Sequence, residues 1–286
     1  MESALEKLSI IMEKVERNTS SKSSFYILLS KKSAKIRTKF NPLIELDAGK
    51  KYEMSLLNLE TYFSFPNIDA TNNHFRYTPF VNPDERSTES YERFGGSSRS
   101  ANEGASLWTD VFIPEGCYEI TDINDYIQRT MKENGHYDTV NNEYYISLQP
   151  NTNTLKSVLN IAPNYKVDFR SDNSIRAVLG FAKKIYNEGY NESEQIVNIM
   201  NVTSLRITSD IIGASYTNGS TANVIYSFFP NVGPGYKIIE VPTNLVYLPV
   251  TLSTISSMET KLTDQNGKLV NLRGEELSIR FHIREV

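Results

Sequence analysis

The stretch that decides the fold is residues 258–286, METKLTDQNGKLVNLRGEELSIRFHIREV. Its last part alternates strictly between apolar and polar side chains, and the apolar set is Leu277, Ile279, Phe281 and Ile283. Successive side chains of a strand point to opposite faces of the sheet, so this alternation predicts a half-buried β-strand. We expect the apolar set to face a core and Arg280, His282 and Arg284 to face outward, available to a neighbouring subunit.

Working outward from this strand, the composition suits a β-rich domain. The chain has 286 residues, a net charge of −4 and one cysteine, Cys117, which excludes an internal disulfide. The N-terminus lacks the apolar segment of a secretory signal, and no run of about 18 apolar residues predicts a membrane span. A reducing compartment is therefore expected. The near-neutral charge predicts that any contact with nucleic acid is at most indirect.

Short strand patterns separated by turn residues continue through the chain. Between residues 51 and 62 the alternation changes phase at Leu56 and Leu57, which predicts a bulge or a bend. Later strands are predicted at 143–149, 154–161, 165–169, 196–208, 223–229, 236–240, 245–251, 255–263 and 276–284. Helices are predicted at 121–134, capped by Thr121 and stopped by Asn134-Gly135, and at 173–180. The pattern predicts an all-β, single jelly-roll sandwich over 25–286, with these two short helices in connecting loops.

The first 24 residues read as a helical arm and a polar linker. A capping box at Ser3 and Glu6 begins a helix over residues 3–17, and an apolar stripe follows at heptad spacing, formed by Leu5, Leu8, Met12 and Val15. The helix either lies on its own domain or packs against a neighbouring subunit; the second alternative makes the stripe a candidate assembly contact. Farther on, residues 78–107 are polar and Gly/Ser-rich, which predicts a long exposed loop.

Positive charge is concentrated near the start of the β-region. Residues 22–51 carry two acidic residues, Glu45 and Asp47, against eight basic ones: Lys22, Lys31, Lys32, Lys35, Arg37, Lys39, Lys50 and Lys51. Lysines commonly protect exposed strand edges, and this is one explanation. The other is a basic face turned toward an acidic partner or nucleic acid.

Patterns that would indicate catalysis are weak. His74, His136 and His282 stand far apart in the sequence, which predicts surface or turn positions for them rather than a metal site. Cys117 has no CxxC partner, and no nucleophile-elbow or phosphate-binding motif occurs. We therefore expect no enzyme, no catalytic or metal-binding residues, no cofactor and no small-molecule substrate.

Four segments resemble a known family. They are KKYEMSLLNLETYFSFPNI (50–68), IPEGCYEITDINDYIQ (113–128), SIRAVLGF (174–181) and LTDQNGKLVNLRGEELSIRFHIRE (262–285). Together they resemble the penton, or minor capsid, proteins of Polinton/Maverick elements, adintoviruses and virophage-like viruses, a family with copies in animal genomes. The resemblance covers most of the chain from about residue 25 onward.

The resemblance implies a structural virion protein, made in the host cytoplasm and assembled there or in the nucleus. It implies a jelly-roll subunit that forms homopentamers at icosahedral capsid vertices and contacts a double jelly-roll major capsid protein. Two alternatives share the β pattern: a cellular, lectin-like binding module, and a jelly-roll major capsid protein. An enzyme built on a β-sandwich is a further alternative, without a motif to support it.

Overall fold

The computed structural model describes residues 23–79, 108–141, 143–200, 202–213, 215–217 and 219–286. The predicted helix over 3–17, with its four apolar residues, lies outside the described residues, as does most of the predicted loop 78–107. Within the described residues the chain is mostly β-structure, as predicted.

Twenty strands and two helices are described. The strands are β1 Ser24–Lys31, β2 Lys35–Glu45, β3 Tyr52–Tyr62, β4 His74–Pro79, β5 Thr109–Phe112, β6 Tyr137–Asp138, β7 Glu143–Tyr144, β8 Ile146–Asn151, β9 Lys156–Ile161, β10 Tyr165–Asp168, β11 Ile185–Tyr186, β12 Gly189–Glu192, β13 Leu205–Ser209, β14 Tyr216–Thr217, β15 Ser220–Thr221, β16 Val224–Phe228, β17 Lys237–Glu240, β18 Leu248–Pro249, β19 Thr254–Thr263 and β20 Leu277–Glu285. The helices are α1 Ile120–Glu133 and α2 Arg176–Leu179.

The described residues group into two compact units. The first lies within Met1–Phe65 and Val202–Val286, and the second is Pro66–Asn201. The sequence did not predict this grouping. One jelly-roll domain extending over 25–286 stays a prediction.

The first unit contains two main sheets with antiparallel neighbours, besides the two-stranded sheet of β14 and β15. Sheet 1 has the order β1-β20-β3-β17, with β18 also paired to β3, and sheet 2 has the order β16-β13-β19-β2. Taken in chain order, the eight long strands of this unit pair first with last, second with seventh, third with sixth and fourth with fifth. The pairing is therefore nested, as in one long hairpin folded back over itself.

One apolar core belongs to both sheets of the first unit. Sheet 1 contributes Met54 and Phe281 and sheet 2 contributes Ile207 and Met258, all with no exposed surface. The four apolar residues of the alternating pattern in β20 all lie in this core, as predicted. Burial of apolar side chains of this size contributes about 1.5–3 kcal/mol each, so the period-two pattern fixes which face of β20 points inward.

The phase change within β3 is a bulge, as predicted. Phe281 pairs with Leu56 and Arg280 pairs with Asn58, which leaves Leu57 as an extra residue in β3. Leu57 is fully buried outside the main core and packs against Val241 and Leu245. The bulge thus lets β3 bury apolar residues on both faces of sheet 1.

Two predicted strands are much shorter than expected. Of 196–208, only Leu205–Ser209 is a strand, because the preceding backbone bonds irregularly: Val197 N–H donates to Leu155 and Asn198 N–H donates to Val178. Of 245–251, only Leu248–Pro249 pairs with β3. The sequence could not separate such apolar, irregular segments from strands by periodicity alone.

The second unit has its own core and its own sheets. One sheet has the order β11-β10-β4-β5 and another has the order β12-β9-β8. Helix α1 contributes its buried stripe to the core: Ile120, Ile123, Ile127 and Met131. It begins one residue earlier than predicted, with Glu119 rather than Thr121 at the N-cap, and the Asp122 carboxylate accepts the Glu119 N–H at 2.8 Å.

Helix α2 ends at a glycine that no other residue could replace without rearrangement. Gly180 has φ +81°, and a Cβ there would lie 2.2 Å from the carbonyl oxygen of Gln195. The predicted helix over 173–180 therefore ends where expected, at Gly180, but it has only four residues.

Candidate functional site: the outer face of sheet 1

The three candidate residues of β20 lie on the outer face of sheet 1, which faces away from the core. The register of the strands places Tyr26 of β1 and Ser55 of β3 on either side of His282. Leu28 and Asn58 flank Arg280 in the same way. The polar side chains of β20 therefore point away from the core, as the alternation predicted.

The chain itself covers part of this outer face. Sheet 1 pairs β3 with β17 at one end and with β18 at the other. The residues between those strands leave the sheet edge at the level of the bulge. We call residues 241–250 the cover segment: Val241 and Leu245 pack on Leu57, and Val250 N–H donates to the Tyr52 carbonyl at 2.9 Å.

His282 points away from the core, as predicted, but it is buried under the cover segment, so the prediction that it is available to a neighbouring subunit was wrong. Its side chain has no exposed surface, and Tyr247 Oη lies 2.9 Å from Nδ1. The rings of Tyr26 and Tyr247 enclose it, with centroids at 5.1 Å and 5.9 Å. The residue that covers His282 lies 35 positions away in sequence, so periodicity within β20 could not reveal it.

Burial controls the chemistry of this histidine. Desolvation, with a smaller contribution from the nearby Arg284 charge, lowers the pKa of His282 to about 4. Its Nε2 atom is buried and has no hydrogen-bond partner among the described residues. The imidazole is therefore neutral near pH 7, and with one nitrogen unpartnered it is a costly group to bury.

Arg284 is fixed in place rather than free. Its guanidinium carbon lies 3.5 Å from the centroid of the Tyr247 ring, and its NH2 group lies 3.2 Å from the Glu53 carboxylate. A cation over an aromatic face and an ion pair together hold the cover segment against β20 and β3. Arg284 thus has a role within its own unit, and its role as an assembly contact stays a prediction.

The rest of the outer face exposes apolar side chains that the sequence analysis did not single out. Tyr26 and Leu28 of β1 are 40% and 58% exposed, and Ile239 of β17 is 42% exposed. Arg280 lies beside Leu28 and is half-buried. The sequence Phe25–Leu29 could have predicted this exposure. It is apolar at consecutive positions, so both faces of the strand are apolar and only one of them can face the core.

The histidines of the second unit are also not simple surface residues. His74 is 7% exposed, with Nδ1 2.7 Å from Ser171 Oγ and Nε2 2.7 Å from Asp110 Oδ1. His136 is half-buried, and its Nδ1 lies 2.9 Å from Tyr77 Oη. The surface or turn positions predicted for these histidines were wrong for His74, since it joins β4 to β5 and to the turn after β10.

A serine, a histidine and an aspartate in series resemble a nucleophilic triad only in composition. In that arrangement Nε2 faces the serine and Nδ1 faces the aspartate, whereas His74 has the two nitrogens exchanged. Nearby, the buried Asp168 carboxylate accepts bonds from Arg76 and Arg170 at 2.9 Å, and despite desolvation these bonds lower its pKa to about 2. Both groups serve to join strands and loops of the second unit.

Two further properties concern the described residues alone. They contain no cluster of three or more His, Cys, Asp or Glu side chains that could hold a metal ion. Among the helices described, none has the length and apolar character needed to cross a bilayer.

Comparison with known proteins gives little. No family model matches the sequence, and no curated protein matches it significantly. Among solved structures, the chain is similar to the SeMet-labelled mavirus penton protein, with a TM-score of 0.45 and 11% sequence identity over 92% of this chain and 100% of that one. A similarity this low carries no argument about this chain.

Proposed function

We propose that this chain is a structural capsid protein and not an enzyme. The observation that carries the proposal is the nested pairing of eight strands in the first unit. A long antiparallel hairpin rolled into two facing sheets gives this pairing, and that architecture is the jelly roll, which occurs in viral capsid and lectin domains. Residues 66–201 are then an insertion between the third and fourth strands of the roll.

The finer proposal is a penton, or minor capsid, subunit that forms homopentamers at icosahedral vertices and contacts a double jelly-roll major capsid protein in the virion. Its support is the resemblance of four segments to that family. Two of them, 50–68 and 262–285, contain β3 and β20, the neighbouring central strands of sheet 1. A fivefold ring needs two different, complementary lateral surfaces on each subunit, since its contacts are heterologous.

The outer face of sheet 1 is the surface that we assign to one of these contacts. It combines exposed apolar groups at Tyr26, Leu28 and Ile239 with the cation of Arg280. Interfaces between subunits are enriched in aromatic residues and arginine. This composition favours a protein partner over a sugar and so favours the capsid subunit over the lectin-like module.

Mass measurement during size-exclusion chromatography tests the proposal. The 32.5 kDa chain should elute with the mass of a pentamer, and Leu28→Glu with Ile239→Glu should shift it toward monomer. Val140→Glu is the matched control, because Val140 is 89% exposed in the second unit and should leave the pentamer intact. A wild-type protein that remains monomeric at high concentration would contradict the proposal.

The N-terminal arm is a separate element of the proposal. If the stripe of Leu5, Leu8, Met12 and Val15 packs against a neighbouring subunit, then deleting residues 1–20 should weaken assembly while the β-structure keeps its melting temperature. Normal assembly of the deleted chain would assign the arm to its own domain instead.

A further inference from the structure

The outer face of sheet 2 carries a row of cations on adjacent strands. Lys35, Arg37 and Lys39 alternate along β2 with residues that face the core. The register places them opposite Lys261, Glu259 and Ser257 of β19, respectively. Arg206 of β13 follows on the same face, opposite Thr263. We call Lys35, Arg37, Lys39, Arg206 and Lys261 the basic face.

Two carboxylates lie close to the basic face. Glu259 binds Lys35 at 3.1 Å and Lys261 at 3.0 Å, and Asp210 accepts the Glu259 N–H at 2.9 Å. No ion pair within the described residues engages Arg37, Lys39 or Arg206. The face therefore keeps a clear excess of positive charge on a chain whose net charge is −4.

The spacing of these cations is regular. Alternate residues of a strand are about 6.8 Å apart, and adjacent strands are about 4.8 Å apart. A row of evenly spaced cations suits a nucleic acid backbone, because its phosphates form a regular series of negative charges. The uncharged positions between the cations are hydroxyls, Ser257, Thr208 and Ser227, which can donate to phosphate oxygens.

We infer that the basic face of sheet 2 binds the phosphate backbone of nucleic acid without reading its sequence. Among the paired residues of β2, β19 and β13, no aromatic side chain stands between the cations to stack on a base, and backbone contacts carry no sequence information. An acidic protein is a poorer fit, because protein interfaces depend on buried apolar anchors and deplete lysine. The inference is independent of the proposed pentamer.

The near-neutral total charge predicts at most an indirect contact with nucleic acid, but a total charge is an average over the whole molecule. Lys35, Arg37 and Lys39 belong to the basic stretch 22–51, and the alternation of β2 places all three on one face of the sheet. The first unit thus presents a cationic sheet face that the total charge conceals.

Binding of labelled oligonucleotides of mixed sequence, single-stranded and duplex, to the full-length protein tests the inference. The informative variant is Arg37→Gln/Lys39→Gln/Arg206→Gln, which removes the cations that lack ion pairs and leaves the Lys35–Glu259–Lys261 group. We expect on the order of 10- to 100-fold weaker binding and a salt dependence whose slope falls by about 2 for the single strand.

The matched control is Arg129→Gln/Lys132→Gln/Lys268→Gln, which removes the same charge from exposed positions elsewhere. It should bind like wild type, and melting temperatures should show that both variants are folded. Equal losses in the two variants, or wild-type binding that does not weaken with salt, would overturn the inference. Equal displacement by poly-glutamate of the same total charge would also overturn it, since the face would then accept acidic protein.

Discussion

The two sheets of the first unit share one core but differ on their outer faces. On sheet 1 the chain folds back over the face, and Tyr26 and Tyr247 enclose a neutral, buried His282. On sheet 2 the corresponding positions of β2 remain exposed and charged. The same alternation of apolar and polar residues therefore has two outcomes, and a segment distant in sequence decides between them.

The largest loss of stability should come from disrupting the core that the two sheets share. Phe281 has no exposed surface, so Phe281→Asp buries a carboxylate that has no partner. We expect the first unit not to fold, because burying an unpaired charge costs several kcal/mol, a large part of the about 5–15 kcal/mol that stabilises a domain. Leu28→Asp is the control, because Leu28 is 58% exposed and a carboxylate there stays in water. Circular dichroism and urea unfolding would show the difference, and a folded Phe281→Asp protein would refute the core assignment.

The inner faces of the sheets could be predicted from sequence, and the outer faces could not. The alternation of Leu277, Ile279, Phe281 and Ile283 was sufficient to place β20 in a core, and the phase change at Leu57 was sufficient to place the bulge. The burial of His282 depends on Tyr247, which reaches it only because β17 and β18 both pair with β3. Periodicity reports which side of a strand a residue occupies, but it does not report whether another segment covers that side.

Loosening the cover segment should expose the outer face of sheet 1 to solvent, as the outer face of sheet 2 is exposed. Tyr247→Ala removes the aromatic ring, its contact with Arg284 and the hydrogen bond to His282. Because Tyr247 is half-buried, we expect a loss of about 2–3 kcal/mol in the free energy of unfolding, below the range for a fully buried aromatic residue. Val246→Ala, at a neighbouring position that is 57% exposed, should cost less than about 0.5 kcal/mol. Urea unfolding measures both, and similar losses in the two variants would show that residues 241–250 do not act as a cover.

The covered face should also depend on pH through His282. Its pKa is lowered from 6.5 to about 4 in the folded protein, so between these values the unfolded chain binds more protons and stability falls as the pH falls. The full difference in pKa corresponds to a loss of about 3 kcal/mol in the free energy of unfolding. Because Tyr26 and Arg284 beside His282 remain partly exposed, we expect a loss of about 2 kcal/mol between pH 7 and pH 4.

The variant His282→Gln isolates this contribution, because its amide can keep a hydrogen bond with the Tyr247 hydroxyl but does not titrate. Its loss of stability between pH 7 and pH 4 should be smaller than that of wild type by the same amount. An NMR titration of the histidine ring should find it neutral at pH 5.5. Identical pH profiles for the two proteins would mean that His282 is accessible to protons in the folded state.

The smallest effect on stability should come from the basic face of sheet 2, because, within the part of the chain that the structure describes, the three cations that lack ion pairs there hold no other segment in place. Arg37→Gln/Lys39→Gln/Arg206→Gln should change the free energy of unfolding by less than about 0.5 kcal/mol per site. The change in the free energy of unfolding should be stabilising at low salt, because the variant reduces repulsion among neighbouring cations that are open to solvent. At high salt this repulsion is screened, so the change should disappear. Urea unfolding at two salt concentrations measures this. A large, salt-independent loss would mean that these cations support the fold, as Arg284 does on the covered face, and the contrast between the two faces would then disappear.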